Sequence, residues 1–278
     1  MKKLGLGLGL VLALIAIGAY YFGSRQSPPQ LPPPIPVVSP PPVAPPPAVT
    51  EPPKPAISYP VPLPPGMTVL PPPGQAGDFV KNHITELLGA KNVKTYLQLD
   101  EFARRVVATV DNLGRSLAPP RMWPINPTPG RFTVETGSDG TVIGAKNQAR
   151  YAPFVAFVDS VDAGRAVALY KLLYPLFQHA YEDLGYPRQY FNDRLVAVID
   201  LLLETPEPSG PLKVELPTIH GPIKPTHPWL LYRFSDPALE GLTSGQKILL
   251  RTGPENEQRL KSKLREIRKL IAGDKPSR

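Results

Sequence analysis

Twenty-two of the 40 prolines in this 278-residue chain fall between Pro28 and Pro73, a stretch of only 46 residues. Proline fixes φ and has no backbone N–H, so this stretch can be neither a helix nor a central strand. Runs such as Pro32-Pro33-Pro34, Pro40-Pro41-Pro42, Pro45-Pro46-Pro47 and Pro71-Pro72-Pro73 favour polyproline II. At about 3.1 Å per residue the tract reaches at most about 140 Å. Collagen is excluded, because glycine does not recur at every third position. The plain reading is a semi-rigid spacer, and the sharper one is a docking site for a proline-binding groove. Only Glu51 and Lys54 carry charge here, which leaves little for electrostatic specificity.

Ahead of the tract, Leu4–Phe22 is an uncharged and largely apolar run. As a helix it spans about 28 Å, close to the roughly 30 Å hydrocarbon core of a bilayer. Lys2 and Lys3 precede it, and Tyr20, Tyr21 and Phe22 stand at its far end, where interfacial aromatics belong. This predicts a single-pass anchor in inner-membrane lipid, with the N-terminus cytoplasmic and everything after Arg25 periplasmic. A cleaved signal peptide is the competing reading, since Ala16, Gly18 and Ala19 are small. The length of the run and the bulky aromatics after it favour the anchor. Gly5, Gly7 and Gly9 mimic part of a dinucleotide fingerprint but lie inside the apolar run rather than after a strand. The chain has no cysteine, which excludes disulfides, cysteine-ligated metal and lipidation on cysteine.

From Asp78 onward the pattern turns helical. Asp78 is expected to cap a helix whose apolar face is Phe79, Val80, Ile84, Leu87 and Leu88, with Gly89 as the stop. Phe102, Val106, Val110 and Leu113 predict a second helix ending at Gly114, followed by a proline-rich loop holding Trp123. Phe132–Thr136 and Thr141–Ala145 flank Gly-Ser-Asp-Gly and read as a β-hairpin. Helices follow over 149–160, 163–184 and 188–204, with Asp162 capping the second, Gly185 stopping it and Pro175 kinking it. Short strands are expected near Lys213–Leu216 and Trp229–Phe234, and Asp236-Pro237 starts a short helix. A final helix over 254–271 carries Leu260, Leu264, Ile267 and Ile271 on one face and basic residues on the others. The expected fold is mainly α, a single helical domain with a small β-hairpin. Three parts follow: 1–25 as cytoplasmic N-terminus and anchor, 26–77 as linker, and 78–278 as the domain.

Several blocks in this part resemble a known family. They are Leu169-Tyr170, Tyr174-Pro175-Leu176-Phe177-Gln178, and Ala180-Tyr181-Glu182-Asp183-Leu184-Gly185-Tyr186-Pro187. Further blocks are Phe191-Asn192-Asp193-Arg194-Leu195 with Ile199-Asp200, Thr109-Val110-Asp111-Asn112-Leu113, and Gly245-Gln246-Lys247 through Arg251-Thr252-Gly253-Pro254-Glu255-Asn256. In this order they resemble the bacterial family called domain of unknown function 3014, over roughly 78–271. The resemblance implies a membrane-anchored envelope protein and supplies no activity. The overall plan of anchor, proline spacer and terminal domain is also similar to TonB-type energy transducers, an architectural likeness that carries no function.

Candidate chemistry is sparse. Ser244-Gly245-Gln246-Lys247 fits the S-x-x-K motif of penicillin-binding enzymes, but the near-matches to its companion motifs lie in the wrong order. Thr243 or Ser244 is more simply a helix N-cap. The histidines, His83, His179, His220 and His227, lack metal-site spacing, and no cofactor is implied. Glu182 and Asp183 are adjacent, so they face different sides of a helix and serve its surface or pair with Arg188. Tyr170, Tyr174, Phe177, Gln178 and Tyr181 form an aromatic stripe with polar tips, which reads first as core and second as a groove for a sugar or peptide. Asn192 or Asp193 is expected to cap the next helix, with Arg194 bridging back to Glu182 or Asp183. The interaction surface expected from these residues is Tyr174, Gln178, Tyr181, Glu182, Asn192, Asp193 and Arg194, together with Arg150 and Tyr151.

The formal charge of +8 is unevenly placed. Residues 76–246 hold 17 basic and 18 acidic groups, whereas 247–278 hold 10 and 4. A basic excess confined to the last helix reads as a solvated face, or as attraction to an anionic lipid or wall surface, and not as a nucleic-acid groove. The leading expectation is a periplasmic binding or structural module that meets an envelope protein or the cell wall. The rival is a periplasmic hydrolase acting on cell-wall polymer, which needs two carboxylates facing each other across one cleft.

Overall fold

Apolar residues at helical spacing organise nearly everything after Gln75. The computed structural model describes residues 56–62, 75–218 and 226–272, within a compact unit that begins at Pro53. Leu4–Phe22, most of the proline tract and His220 lie outside the described residues. Among the described residues no helix is long and apolar enough to cross a membrane.

The domain is mainly helical. In chain order the helices are α1 (Ala76–Leu88), α2 (Ala90–Tyr96), α3 (Phe102–Leu113), α4 (Lys146–Ser160) and α5 (Ala163–Asp183). They continue with α6 (Phe191–Leu203), α7 (Pro237–Glu240), α8 (Ser244–Thr252) and α9 (Pro254–Ala272). Strands β1 (Val134–Gly137) and β2 (Gly140–Ile143) form the expected hairpin, with Gly137 opposite Gly140 and Val134 opposite Ile143. A second antiparallel pair joins β3 (Val214–Glu215) to β4 (Arg233–Phe234), and a single bridge between Val142 and Lys213 links the two ladders.

Local signals placed several ends correctly. The Asp162 carboxylate accepts from Arg165 N and starts α5, and Asp236 does the same for α7 through Ala238 N. Thr243 and Gln246 form a reciprocal capping box at α8. Two expectations fail, and one helix goes unread in the sequence. Asp78 lies inside the first turn of α1, and the chain enters that helix through Gln75 without a side-chain cap. Helix α2 has no fully buried residue, so no periodic apolar face announces it. Helix α6 starts at Phe191 rather than at 188, after Gly185 turns the chain at φ 112° and a further turn is closed by Gln189 N on the Tyr186 carbonyl.

The core sits between α5 and the helices around it. Ile84, Val107, Leu173, Phe177, Tyr181 and Phe191 bring α1, α3, α5 and α6 together. Helix α9 packs on α4, α5, α6 and α8, with Ile271 buried against Val167, Val196 and Ile199. Glycine is required at 245, where a Cβ would stand 2.6 Å from Leu202 Cδ2 and 3.0 Å from the Leu113 carbonyl.

The polar sides of α9 are not all solvated. Lys261 and Arg268 are buried, at 1% and 5% exposure. Lys261 Nζ donates to the Thr205 carbonyl at 2.6 Å and to Glu207 at 2.9 Å. It also lies 2.9 Å from Glu257 Oε1, out of hydrogen-bonding direction. Burial pushes the Glu257 carboxyl above its usual range, and Lys261 pulls it back only in part. Removing one member of a buried pair strands the other charge, so Lys261→Ala should cost about 3 kcal/mol. Without Lys261 the folded-state pKa of Glu257 rises further above the ordinary 4.5. The folded protein then holds a proton that the unfolded chain has lost, so stability falls as pH rises through that window. Urea unfolding should show the deficit largest near pH 7 and shrinking as pH falls toward the unfolded value. A deficit independent of pH would contradict the assignment.

Candidate functional site

The first turn of α6 is where the polar residues of the domain meet. A helix start leaves backbone N–H groups without partners inside the helix. Tyr190 occupies the cap position of α6 and makes no side-chain capping bond, and neither Asn192 nor Asp193 caps the helix. The neighbouring helix does the work instead. Gln178 Oε1 on α5 accepts from Phe191 N at 2.9 Å, and the Tyr174 hydroxyl accepts from Asn192 N at 3.4 Å. Tyr174 donates to Gln178 Oε1 at 3.0 Å, while Gln178 Nε2 donates to Glu182 and to the Gln189 carbonyl. Tyr181 donates to Gln189 Oε1 at 3.3 Å. The aromatic stripe is therefore core with satisfied tips: Tyr174, Phe177 and Tyr181 are buried, and their rings pack against Tyr170, Tyr190, Phe191 and Tyr186. Burial raises the hydroxyls of Tyr170, Tyr174 and Tyr181 above the usual phenol range, which keeps them as donors.

The other side of this turn grips the proline tract. Asp193 accepts from Ser58 N at 2.9 Å through Oδ2 and from Tyr59 N at 2.8 Å through Oδ1. Asn192, fully buried, donates to the Tyr59 carbonyl at 2.9 Å and accepts from the Tyr170 hydroxyl at 2.9 Å. Val61 N donates to the Tyr190 hydroxyl at 2.8 Å. Pro60 and Pro62 have no N–H to place. Every backbone donor from Ser58 to Pro62 is thus satisfied by α6 or its cap. The Tyr59 ring packs on the cluster of Val167, Val196, Ile199 and Ile271, and its hydroxyl meets Arg268. Arg268 is itself held by Asp200, Nε to Oδ1 at 2.6 Å and Nη2 to Oδ2 at 3.2 Å. Asp200 first, then Tyr59, raises the guanidinium above its ordinary value.

Sequence reasoning missed this contact, although one signal pointed to it. Tyr59 is the only aromatic residue between Phe22 and Phe79. In a tract that can bury little else, a lone tyrosine is the natural anchor.

The remaining residues of the expected surface separate. Arg194 does not reach Glu182 or Asp183. It binds Asp111 on α3, Nε to Oδ1 at 3.1 Å and Nη2 to the Asp111 carbonyl at 2.8 Å. Arg115 closes the other side, 2.8 Å from Asp111 Oδ2, and Tyr186 donates to the same oxygen at 3.3 Å. Glu182 accepts from Gln178, and Asp183 stands 3.8 Å from His179 one turn away. On α4, Arg150 folds over the Tyr151 ring, 4.5 Å from its centre, and donates to the Tyr151 hydroxyl and the Gly130 carbonyl. Those contacts involve none of the α6 residues.

Ser244 is buried and donates to the Asn112 carbonyl at 2.8 Å, while Lys247 is bound to Glu240 at 2.9 Å, so the S-x-x-K pair is committed to structure. An apolar cavity of about 440 Å³ opens among Leu88, Phe102, Phe157, Leu169, Phe177 and Ile267. The polar groups on its wall are already engaged: Tyr170 with Asn192, and Lys263 with the Val161 carbonyl and Glu266. Nothing there is placed to orient a ligand.

Fold and site together define a helical domain that binds an extended, proline-rich segment of its own chain. The sequence matches the family described as "Protein of unknown function (DUF3014)" over residues 102–268, and the chain belongs to that family. No curated protein and no solved structure matches it.

The capping arrangement predicts that Gln178→Leu strands the Phe191 amide and costs about 1–3 kcal/mol in chemical unfolding. Asp111→Ala removes the shared partner of Arg194 and Arg115 and should cost about 2 kcal/mol or more. Asp111→Asn should recover part of that loss. Wild-type unfolding curves for these variants would contradict the network.

Proposed function

We propose that the chain is a binding or structural module of the bacterial envelope. Leu4–Phe22 anchors it in inner-membrane lipid, the proline-rich tract carries the domain away from the bilayer, and the helical domain meets an envelope protein or the cell wall in the periplasm. The observation that supports binding over hydrolysis is the divergence of Glu182, Asp183, Asp193 and Arg194. They turn to Gln178, His179, the tract backbone and Asp111 respectively. The rival hydrolase needs paired carboxylates facing one substrate, and these residues offer no such pair. Asp193 holds two backbone amide N–H groups, which is the chemistry of peptide recognition.

Two measurements test the reading. A reporter that works only in the periplasm, fused after Arg278, should be active, and activity only from a cytoplasmic reporter overturns the topology. Cross-linking in cells should capture a defined envelope protein or wall fragment. Recovery of abundant bystanders alone counts against a binding role.

A further inference from the structure

Residues 57–62 touch the domain as a ligand touches a receptor. Ser58, Pro60 and Pro62 are exposed, Ile57 is 53% exposed, and Tyr59 and Val61 are only half-buried. The segment lies at the edge of the core, with Tyr59 and Val61 packed against it from outside. Its attachment consists of three backbone N–H groups, one carbonyl and two side chains, Tyr59 and Val61. Three of the receiving groups have their own support from the domain: Tyr170 holds Asn192, Asp200 holds Arg268, and the Tyr190 ring packs on Tyr174. Such a site is pre-organised and pays little to bind. Its contacts are mostly to main chain, with one pocket for a tyrosine, which is how extended peptides are commonly recognised. The spacing also selects for proline: positions 60 and 62, where no N–H is needed, are the two that proline fills.

We propose that the cleft formed by the first turn of α6 and the Arg268 face of α9 is an exchangeable peptide site. Its ligand class is an extended Ser-Tyr-Pro-Val-type segment of a partner protein, and residues 57–62 of this chain occupy it in cis as a competitor. The identity of the partner rests on the envelope-binding reading above, whereas the site is tested on the purified chain alone. The two can therefore fail separately. A partner gains access only from the fraction of molecules whose own segment is out, so its apparent affinity falls by that fraction.

The test uses the full chain and a fluorescent peptide of residues 55–63, read by anisotropy. Tyr59→Ala removes the internal anchor. Ser58→Pro removes one of the N–H groups held by Asp193 and frees the segment by a second route. Both variants should bind the peptide at least about tenfold more tightly than wild type, as expected when a tethered competitor is removed. Adding Asp193→Ala to either variant should abolish that gain, and a scrambled peptide should not bind. Equal affinity in wild type and both variants, no binding to either folded variant, or binding unaffected by Asp193→Ala would each overturn the proposal. Circular dichroism of each variant confirms that the helical domain is folded before binding is scored.

Discussion

The first turn of α6 carries the constraint on which the rest depends. Its amides emerge in a buried position, where an unpaired N–H costs more than any single packing contact returns. No residue of its own caps it. The solution is borrowed from α5, whose Tyr174 and Gln178 present oxygens at the required height. This ties the rotation of α5 to the start of α6. Once that relation is set, Phe177, Tyr181 and Phe191 close the core, and Arg194, one turn into α6, reaches Asp111 on α3. Three helices are thereby locked by polar contacts that tolerate little sliding.

Because α5 satisfies the amides, the carboxylate and carboxamide of the same turn are free to take other partners. Asp193 and Asn192 turn to the proline tract and supply an acceptor pair and a donor. A carboxylate accepts at both of its oxygens, which lets Asp193 hold two N–H groups at once. The turn thus has two faces: one assembles the fold, and the other reads an extended backbone. Helix α9 completes the second face through Arg268, a residue whose burial is acceptable because Asp200 pairs with it on two oxygens.

Much of this was legible before folding. Spacing placed the helices of the domain other than α2 to within a few residues, and Asp162, Asp236 and Thr243 marked helix starts because a cap acts on its immediate neighbours. The aromatic stripe read correctly as core with hydroxyls that need partners. What could not be read was which partners. Arg194 and Asp111 are 83 residues apart, and Lys261 and Thr205 are 56 apart. The long stems of arginine and lysine let a charge be drawn inward from a face whose pattern looks solvated.

Alone, the sequence determined the elements: a long apolar run, a proline tract that cannot enter a helix or a central strand, and a helical domain with a small hairpin. These follow from backbone stereochemistry and short-range periodicity, which act within a few residues. Tertiary structure alone decided that the tract returns to the domain at Tyr59, that Asp193 is an amide acceptor rather than a cap, and that Lys261 and Arg268 are interior. Each of those outcomes depends on groups brought together from distant positions, where pairing of buried polar atoms overrides local preference. A periodic pattern states which face of a helix is apolar. It does not state what the polar atoms on the other faces will find.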